Sequence, residues 1–206
     1  KIQGGRHPII ENFLLSDEEF IPNDLDIGSD MNGQIHVITW PNMWWKSTFL
    51  RQNAIIILLA HCGLPVPAQQ ADIQLVDGIY ARVGSGDVIA KNQSTFMTEM
   101  LEVAEIVNDC TAKSFIIFDE LWRGTSTYDW LAITQAILHH LAMDKQPQTL
   151  MATHYHELVA FADHYESIKN FCVQVHEENN EIVFLRKIQP WWANKSYWIH
   201  VASLAW

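Results

Sequence analysis

The chain has 206 residues, 49% of them hydrophobic, which is enough for a sizeable buried core and favours one large domain. A formal net charge of −11, from 13 basic and 24 acidic residues, argues against an autonomous binder of a nucleic-acid backbone, which needs clustered Lys and Arg. Three widely spaced cysteines, Cys62, Cys110 and Cys172, suggest neither a disulfide framework nor a zinc site, and all three are expected as small buried hydrophobes.

In chain order, Lys1 to Asn32 carries turn signals at Pro22-Asn23-Asp24 and Gly28-Ser29-Asp30 and reads as short strands and loops. Its opening residues lack the apolar core of a signal peptide. Gln34 to Thr39 is β-rich, a polar and aromatic turn follows, and Ser47 to Cys62 is a long Ile/Leu/Ala helix pattern. Within it, Ala54 to Ala60 is the longest apolar stretch, too short to span a bilayer, so a soluble, intracellular protein is expected. From Ser94 to Asp109, Phe96, Met100, Val103 and Val107 recur at three and four residues while Glu99, Glu102 and Glu105 take another face, as an amphipathic helix requires.

Ser114 to Phe118 is an unbroken apolar run ending in Asp119-Glu120, the pattern of a strand covered on both faces in a parallel sheet. A helix is predicted from Leu131 to Met143, a strand from Thr149 to Thr153 ending at His154, and a hairpin from Phe171 to Val175 and Ile182 to Arg186. Ser196 to Trp206 could close as a helix. Alternation of strand and helix predicts an α/β fold, and no repeat or linker justifies cutting the chain.

The turn after the first core strand is Trp40-Pro41-Asn42-Met43-Trp44-Trp45-Lys46-Ser47-Thr48. A phosphate-binding loop needs a strand, a turn whose backbone N–H groups wrap the phosphates, then Lys and Ser/Thr opening a helix. Lys46 and Ser47 stand where a β/γ-phosphate ligand and a magnesium hydroxyl ligand belong, but the glycines of such a loop are missing. An ordinary helix beginning with Lys-Ser is therefore an open alternative. The second element supports the nucleotide reading: a buried strand delivering Asp119 to hold magnesium through water and Glu120 to orient or deprotonate an attacking water.

The run Asp119-Glu120-Leu121-Trp122-Arg123-Gly124-Thr125-Ser126-Thr127-Tyr128-Asp129-Trp130 is similar to the segment D-E-[LIV]-G-R-G-T-S-T-Y-D-G of MutS-type DNA mismatch-repair proteins. Arg6-His7-Pro8, Phe20 to Asp24, Val66-Pro67-Ala68, Ser94 to Met100, Ala152 to Leu158 and Asn194 to Tyr197 resemble further motifs of that family in the same order, covering essentially the whole chain. The resemblance implies a P-loop NTPase fold of the ABC type, with a mixed, mainly parallel sheet flanked by helices. Residues 1–206 would form one ATPase domain, 1–33 an N-terminal β and loop part and 34–206 the core with a C-terminal dimerisation segment.

It further implies ATP and magnesium as ligands, a homodimer or MutS-type heterodimer with each nucleotide between two protomers, and an ATP-controlled clamp on mismatched duplex DNA gripped by other domains of the parent protein. Mismatch-repair partner proteins and a place in the cytoplasm or nucleoid, or in a eukaryotic nucleus, go with it. By the same resemblance Ser94 and Thr95 belong to the loop that reaches the partner's γ-phosphate, His154 is the switch histidine, and Phe20 and Asn23 cradle the adenine. Without the resemblance His154 reads rather as a satisfied strand-end histidine, and the His154-x-His156-Glu157 spacing is not that of a zinc-binding H-E-x-x-H helix.

Nine tryptophans are roughly three times an ordinary share for this length. Trp40, Trp44, Trp45, Trp122, Trp130, Trp191, Trp192, Trp198 and Trp206 all fall where the resembled family has glycine. Drift does not confine every tryptophan to one class of site, which points to deliberate substitution or to an error in the recorded sequence. Glycine tolerates positive φ and lets backbone approach phosphate, and an indole forfeits both, so weakened ATP binding is expected, with Trp44 and Trp45 projecting toward the phosphate path or turned out to solvent. A catalytically inactive dimerisation scaffold is the alternative function. Base stacking on single-stranded nucleic acid is disfavoured, because only Lys46, Arg123 and Lys195 lie near the tryptophan clusters.

Overall fold

The computed structural model describes residues 1–14, 19–29, 31–39, 45–84, 95–121, 127–155, 157–178 and 181–190. Among them a three-stranded antiparallel sheet precedes the main sheet: β1 (Ile2–Gly5) lies between β2 (Asn23–Leu25) and β4 (Gln70–Ala71). A one-turn helix, α1 (Ile10–Phe13), separates β1 from β2. The main sheet has six strands in the order β5-β6-β7-β3-β8-β9. These are β3 (Ile35–Thr39), β5 (Ile79–Val83), β6 (Phe115–Asp119), β7 (Gln148–Thr153), β8 (Ile168–Glu178) and β9 (Glu181–Pro190). Every pairing is parallel except that of β8 with β9, so the expected α/β fold with a mixed, mainly parallel sheet is observed.

Helices cover both faces, and the strands alternate between them with the period of two that a pleat imposes. Ile35 and Val37 of β3, Ile116 and Phe118 of β6 and Met151 of β7 share a core with α3 (Thr95–Asp109), α4 (Thr127–His140) and α5 (Glu157–Ala162). Ile38, Phe115, Ile117, Leu150 and Ala152 face the other way, onto α2 (Trp45–His61). Burying each such side chain contributes about 1.5–3 kcal/mol, which is why the central strands read as continuous apolar runs. Ile2 and Leu25 join the α2 cluster, so the small sheet packs on the same core.

Several expected boundaries move. The helix foreseen from Leu131 begins at Thr127, because Trp130, Thr134, Leu138 and Leu141 form one inward stripe and are all buried. It ends in a π-type turn, Leu141–Lys145, closed by left-handed Gln146, whose N–H donates to the Leu141 carbonyl at 2.7 Å. The hairpin is longer at both ends than expected, and β5 and α5 were not foreseen. Cys110 and Cys172 are buried as expected, but Cys62 is exposed, since it follows the last residue of α2 where the chain leaves the core. The expected C-terminal helix from Ser196 to Trp206 lies outside the described residues.

Parallel register positions the site. Thr39 of β3 stands opposite Thr153 of β7, and Asp119 of β6 stands opposite Ala152. The three central strands therefore end level with one another at their carboxyl edge, where α/β sheets place their ligands.

Candidate functional site

Four side chains expected to carry chemistry meet at that edge. Lys46 is in the first turn of α2 and only 1% exposed, and its ammonium group lies 3.3 Å from Glu120 Oε1 and 3.4 Å from the carbonyl oxygen of Thr153, to which it donates. The hydroxyl of Ser47 donates to Asp119 Oδ1 at 2.9 Å. Lysine and hydroxyl from one helix terminus thus face carboxylates from the next strand but one, the juxtaposition that the paired motifs foretold.

Glu120 is held in an unusual backbone state. Its φ is +51°, in the left-handed region, and its N–H donates to the Ala152 carbonyl at 3.1 Å. Such a conformation in a non-glycine residue costs on the order of 1–3 kcal/mol, and here the neighbouring strand pins it. The kink turns the chain off β6 directly after Asp119 and brings the Glu120 carboxylate back to Lys46.

Arg51 is a participant that the sequence reading missed. Its guanidinium lies 3.6 Å from Asp119 Oδ2, so one carboxylate oxygen faces Ser47 and the other faces Arg51. The signal was present, because Arg51 follows Ser47 by four residues and so shares its helix face. Thr48, also in the expected loop, is buried. His154 follows directly after β7, half-buried, with its ring 4.2 Å from that of Tyr155.

Phe20 and Asn23 lie at a second corner, reached through β9. The β8–β9 ladder passes from Val173 opposite Ile188 to Val175 opposite Phe184, so Leu185, Arg186 and Lys187 bulge opposite Gln174. Arg186 is left-handed at φ +56°. The Asn23 side chain completes the bulge: its amide N–H donates to the Arg186 carbonyl at 2.9 Å and to the Ile21 carbonyl at 3.2 Å, and its oxygen accepts from the Ile188 N–H at 2.7 Å. Lys187 adds a bond to the Pro22 carbonyl at 2.7 Å.

Trp45 is not turned out to solvent, one of the two orientations expected of it. Its side chain is 8% exposed, with the ring 5.9 Å from the Phe20 ring at 58° and the Arg186 guanidinium 4.5 Å over its centroid. Burial of a large apolar ring and a cation–π contact both favour this pose over one facing solvent. Trp40, Pro41, Asn42, Met43, Trp44, Ser94 and His156 lie outside the described residues, and Thr95 opens α3.

No cluster of three or more His, Cys, Asp and Glu able to hold a metal occurs among the described residues. The set Ser47, Asp119 and Glu120 does suit magnesium, which prefers hard oxygen donors and keeps several waters, so that one or two carboxylates suffice. Among the described residues no helix is long and apolar enough to cross a membrane.

Comparison with known proteins agrees with this geometry. Residues 36–206 match the family MutS domain V. The chain is 51% identical, over its full length, to the DNA mismatch repair protein MutS of Thermodesulfovibrio yellowstonii, covering 24% of that protein. It is 49% identical to that of Persephonella marina and 48% identical to that of Acetivibrio thermocellus, in each case along its whole length and over 23% of theirs. The chain spans about a quarter of the length of the curated relatives it matches. By this match and by its mostly parallel sheet with motifs at the carboxyl edge, the chain belongs to the MutS family of DNA mismatch-repair proteins, as its domain V.

Proposed function

We propose that residues 1–206 form one ATP-binding and ATP-hydrolysing domain, 1–33 its N-terminal part and 34–206 its core, which couples ATP state to the mismatch-DNA clamp of a longer protein. The observation that carries this reading is the double pairing of Lys46 with Glu120 and Ser47 with Asp119 at the level ends of parallel strands. Lys46 supplies positive charge for the β- and γ-phosphates, aided by the backbone of Trp40 to Thr48. Ser47 and Asp119 would hold magnesium, which would neutralise phosphate charge when bound. Glu120 orients the attacking water and accepts its proton, giving ADP and phosphate.

His154, directly after β7, whose Thr153 carbonyl accepts from Lys46, senses the γ-phosphate end of the site. Phe20 supports the base, and Asn23 fixes the rim of β9 rather than reading the base, since both ends of its amide are engaged by backbone. Thr95, which opens α3, and Ser94 serve the nucleotide of a second protomer, in a homodimer or MutS-type heterodimer. Mismatched duplex DNA is gripped elsewhere in the parent protein, inside the cell, together with its repair partners. The net charge of −11 agrees with a domain that leaves DNA contact to others.

The test is a Mg-ATP titration followed by tryptophan fluorescence. A saturable change that Lys46→Ala abolishes, with hydrolysis lost but binding kept in Glu120→Gln, supports the reading. A flat trace from folded chain favours a dimerisation scaffold without nucleotide, a second reading to which the packing of Trp45 against Phe20 gives weight.

A further inference from the structure

We infer that Arg51 and a divalent cation compete for the Asp119 carboxylate, so that the guanidinium sets how tightly this chain holds its metal. The inference rests on the magnesium site proposed above and adds to it the residue that tunes it.

Asp119 is 5% exposed and ends β6, and each of its oxygens has a different neighbour. Oδ1 accepts from the Ser47 hydroxyl at 2.9 Å, while Oδ2 lies 3.6 Å from a guanidinium nitrogen of Arg51. One hydroxyl does not offset the cost of burying a carboxylate, and the guanidinium supplies the opposite charge. The contact is nevertheless of a kind that gives way. At 3.6 Å it is beyond ordinary hydrogen-bond length, and the Arg51 side chain is 47% exposed, so it is held by charge and can swing into water. Lys46 is the contrast: at 2% exposure its ammonium group is packed against Glu120 and the Thr153 carbonyl and has no such freedom.

Among the described residues Asp119 is the one carboxylate within 4 Å of Arg51. The nearby ring of His7 offers no counter-charge. It is buried, its Nδ1 accepts from the Ile9 and Ile10 N–H groups at 3.3 Å each, and burial first and the charge of Arg51 second hold its pKa below the usual value. α2 carries Ser47 and Arg51 one turn apart, so hydroxyl and guanidinium reach the same carboxylate from one helix face. A cation held by Ser47 and Asp119 therefore meets a positive charge whose carboxylate it shares, and repulsion between the two lowers its affinity. A polyphosphate brings enough negative charge to outweigh one guanidinium, so metal is accepted with its nucleotide in preference to alone.

The experiment titrates the full chain with manganese(II), followed by its paramagnetic resonance signal, at low salt and without nucleotide. Arg51→Gln, which keeps a polar side chain on a half-exposed helix face, is expected to tighten manganese about fivefold, and the gain should shrink in about 0.5 M salt. Arg51→Lys keeps the charge and should stay within about twofold of the starting chain. Arg51→Met should rank with Arg51→Gln and serves if the glutamine variant does not fold. Asp119→Asn should abolish the binding that these variants modulate. Unchanged or weaker manganese binding in Arg51→Gln, with Asp119→Asn still deficient, would overturn the inference and leave the metal site standing. If Asp119→Asn binds manganese as well as the starting chain does, or if no chain binds it, the metal site itself falls and the inference with it.

Discussion

Lys46 Nζ stands 3.3 Å from Glu120 Oε1 with both side chains nearly withdrawn from water, at 2% and 9% exposure. Two charges in a dry site stabilise one another only as a pair, and removing one leaves the other with its full desolvation penalty. Lys46→Met should therefore destabilise the fold by about 3–5 kcal/mol, more than ordinary surface substitutions. Lys46→Met combined with Glu120→Gln should cost less than the sum of the single changes, because no buried charge is left alone. Urea unfolding of the four chains checks this, and strict additivity would mean that the pair is not coupled.

Arg82 should behave as the tie between β5 and α3. It is buried, with Nη2 2.6 Å from Glu99 Oε1 and Nε 2.9 Å from Glu102 Oε2, and it also donates to the Val83 carbonyl. Arg82→Ala should cost about 2 kcal/mol, the usual worth of bonds to charged groups, and should speed amide exchange in the first two turns of α3 more than elsewhere. Arg82→Lys should recover only part, since an ammonium gathers its donors on one nitrogen and lacks the planar guanidinium that reaches Glu99, Glu102 and the Val83 carbonyl from three. Uniform exchange along α3 in Arg82→Ala would contradict the tie.

What the sequence made legible, and what it did not, divides along local and non-local lines. The strand, loop and helix around Lys46 and the strand ending in Asp119-Glu120 were readable because apolar runs and helix periodicity are local patterns. So was the meeting of these motifs, because parallel strands end at one edge. β5 escaped because Arg82 interrupts its apolar pattern, and only the two glutamates of another element justify burying a guanidinium there. The α4 boundary moved because Trp130 was read as a motif residue rather than as the first of an inward stripe. The pose of Trp45 depends on a bulge in β9, far along the chain, and nothing near residue 45 announces it.

His36 gives the fold an acid sensitivity independent of the site. It is buried in β3, stacked on Phe171 at 4.2 Å, with Nε2 donating to the Asn32 carbonyl at 2.8 Å. Burial pushes its pKa down from 6.5 to about 4, only partly offset by that hydrogen bond and by the charge of Asp26. The unfolded chain therefore binds the proton more readily between these values, so stability is complete above about pH 6.5 and falls as pH drops toward 4. The shift corresponds to about 3 kcal/mol. His36→Gln, which keeps a donor toward Asn32, should flatten this part of the stability profile, and an unchanged slope between pH 6.5 and 4 would show that other groups carry it.

Asn23 offers the sharpest test of how the small sheet is joined to the large one. Its amide closes the β9 bulge by donating to Arg186 and accepting from Ile188, which no apolar or single-function side chain can do at once. Asn23→Ala leaves a half-buried carbonyl and a half-buried N–H without this partner and should cost about 1–3 kcal/mol. Asn23→Asp keeps the acceptor for Ile188 but turns an oxygen toward the Arg186 carbonyl, so at neutral pH it should be no better than alanine. Lowering the pH until that carboxylate is protonated restores a donor and should recover part of the loss. Thermal melts of the two variants at pH 7 and pH 5 decide the matter: both should lose the stability that His36 withdraws, Asn23→Asp less than Asn23→Ala, and parallel behaviour would mean that the bulge is held by the backbone alone.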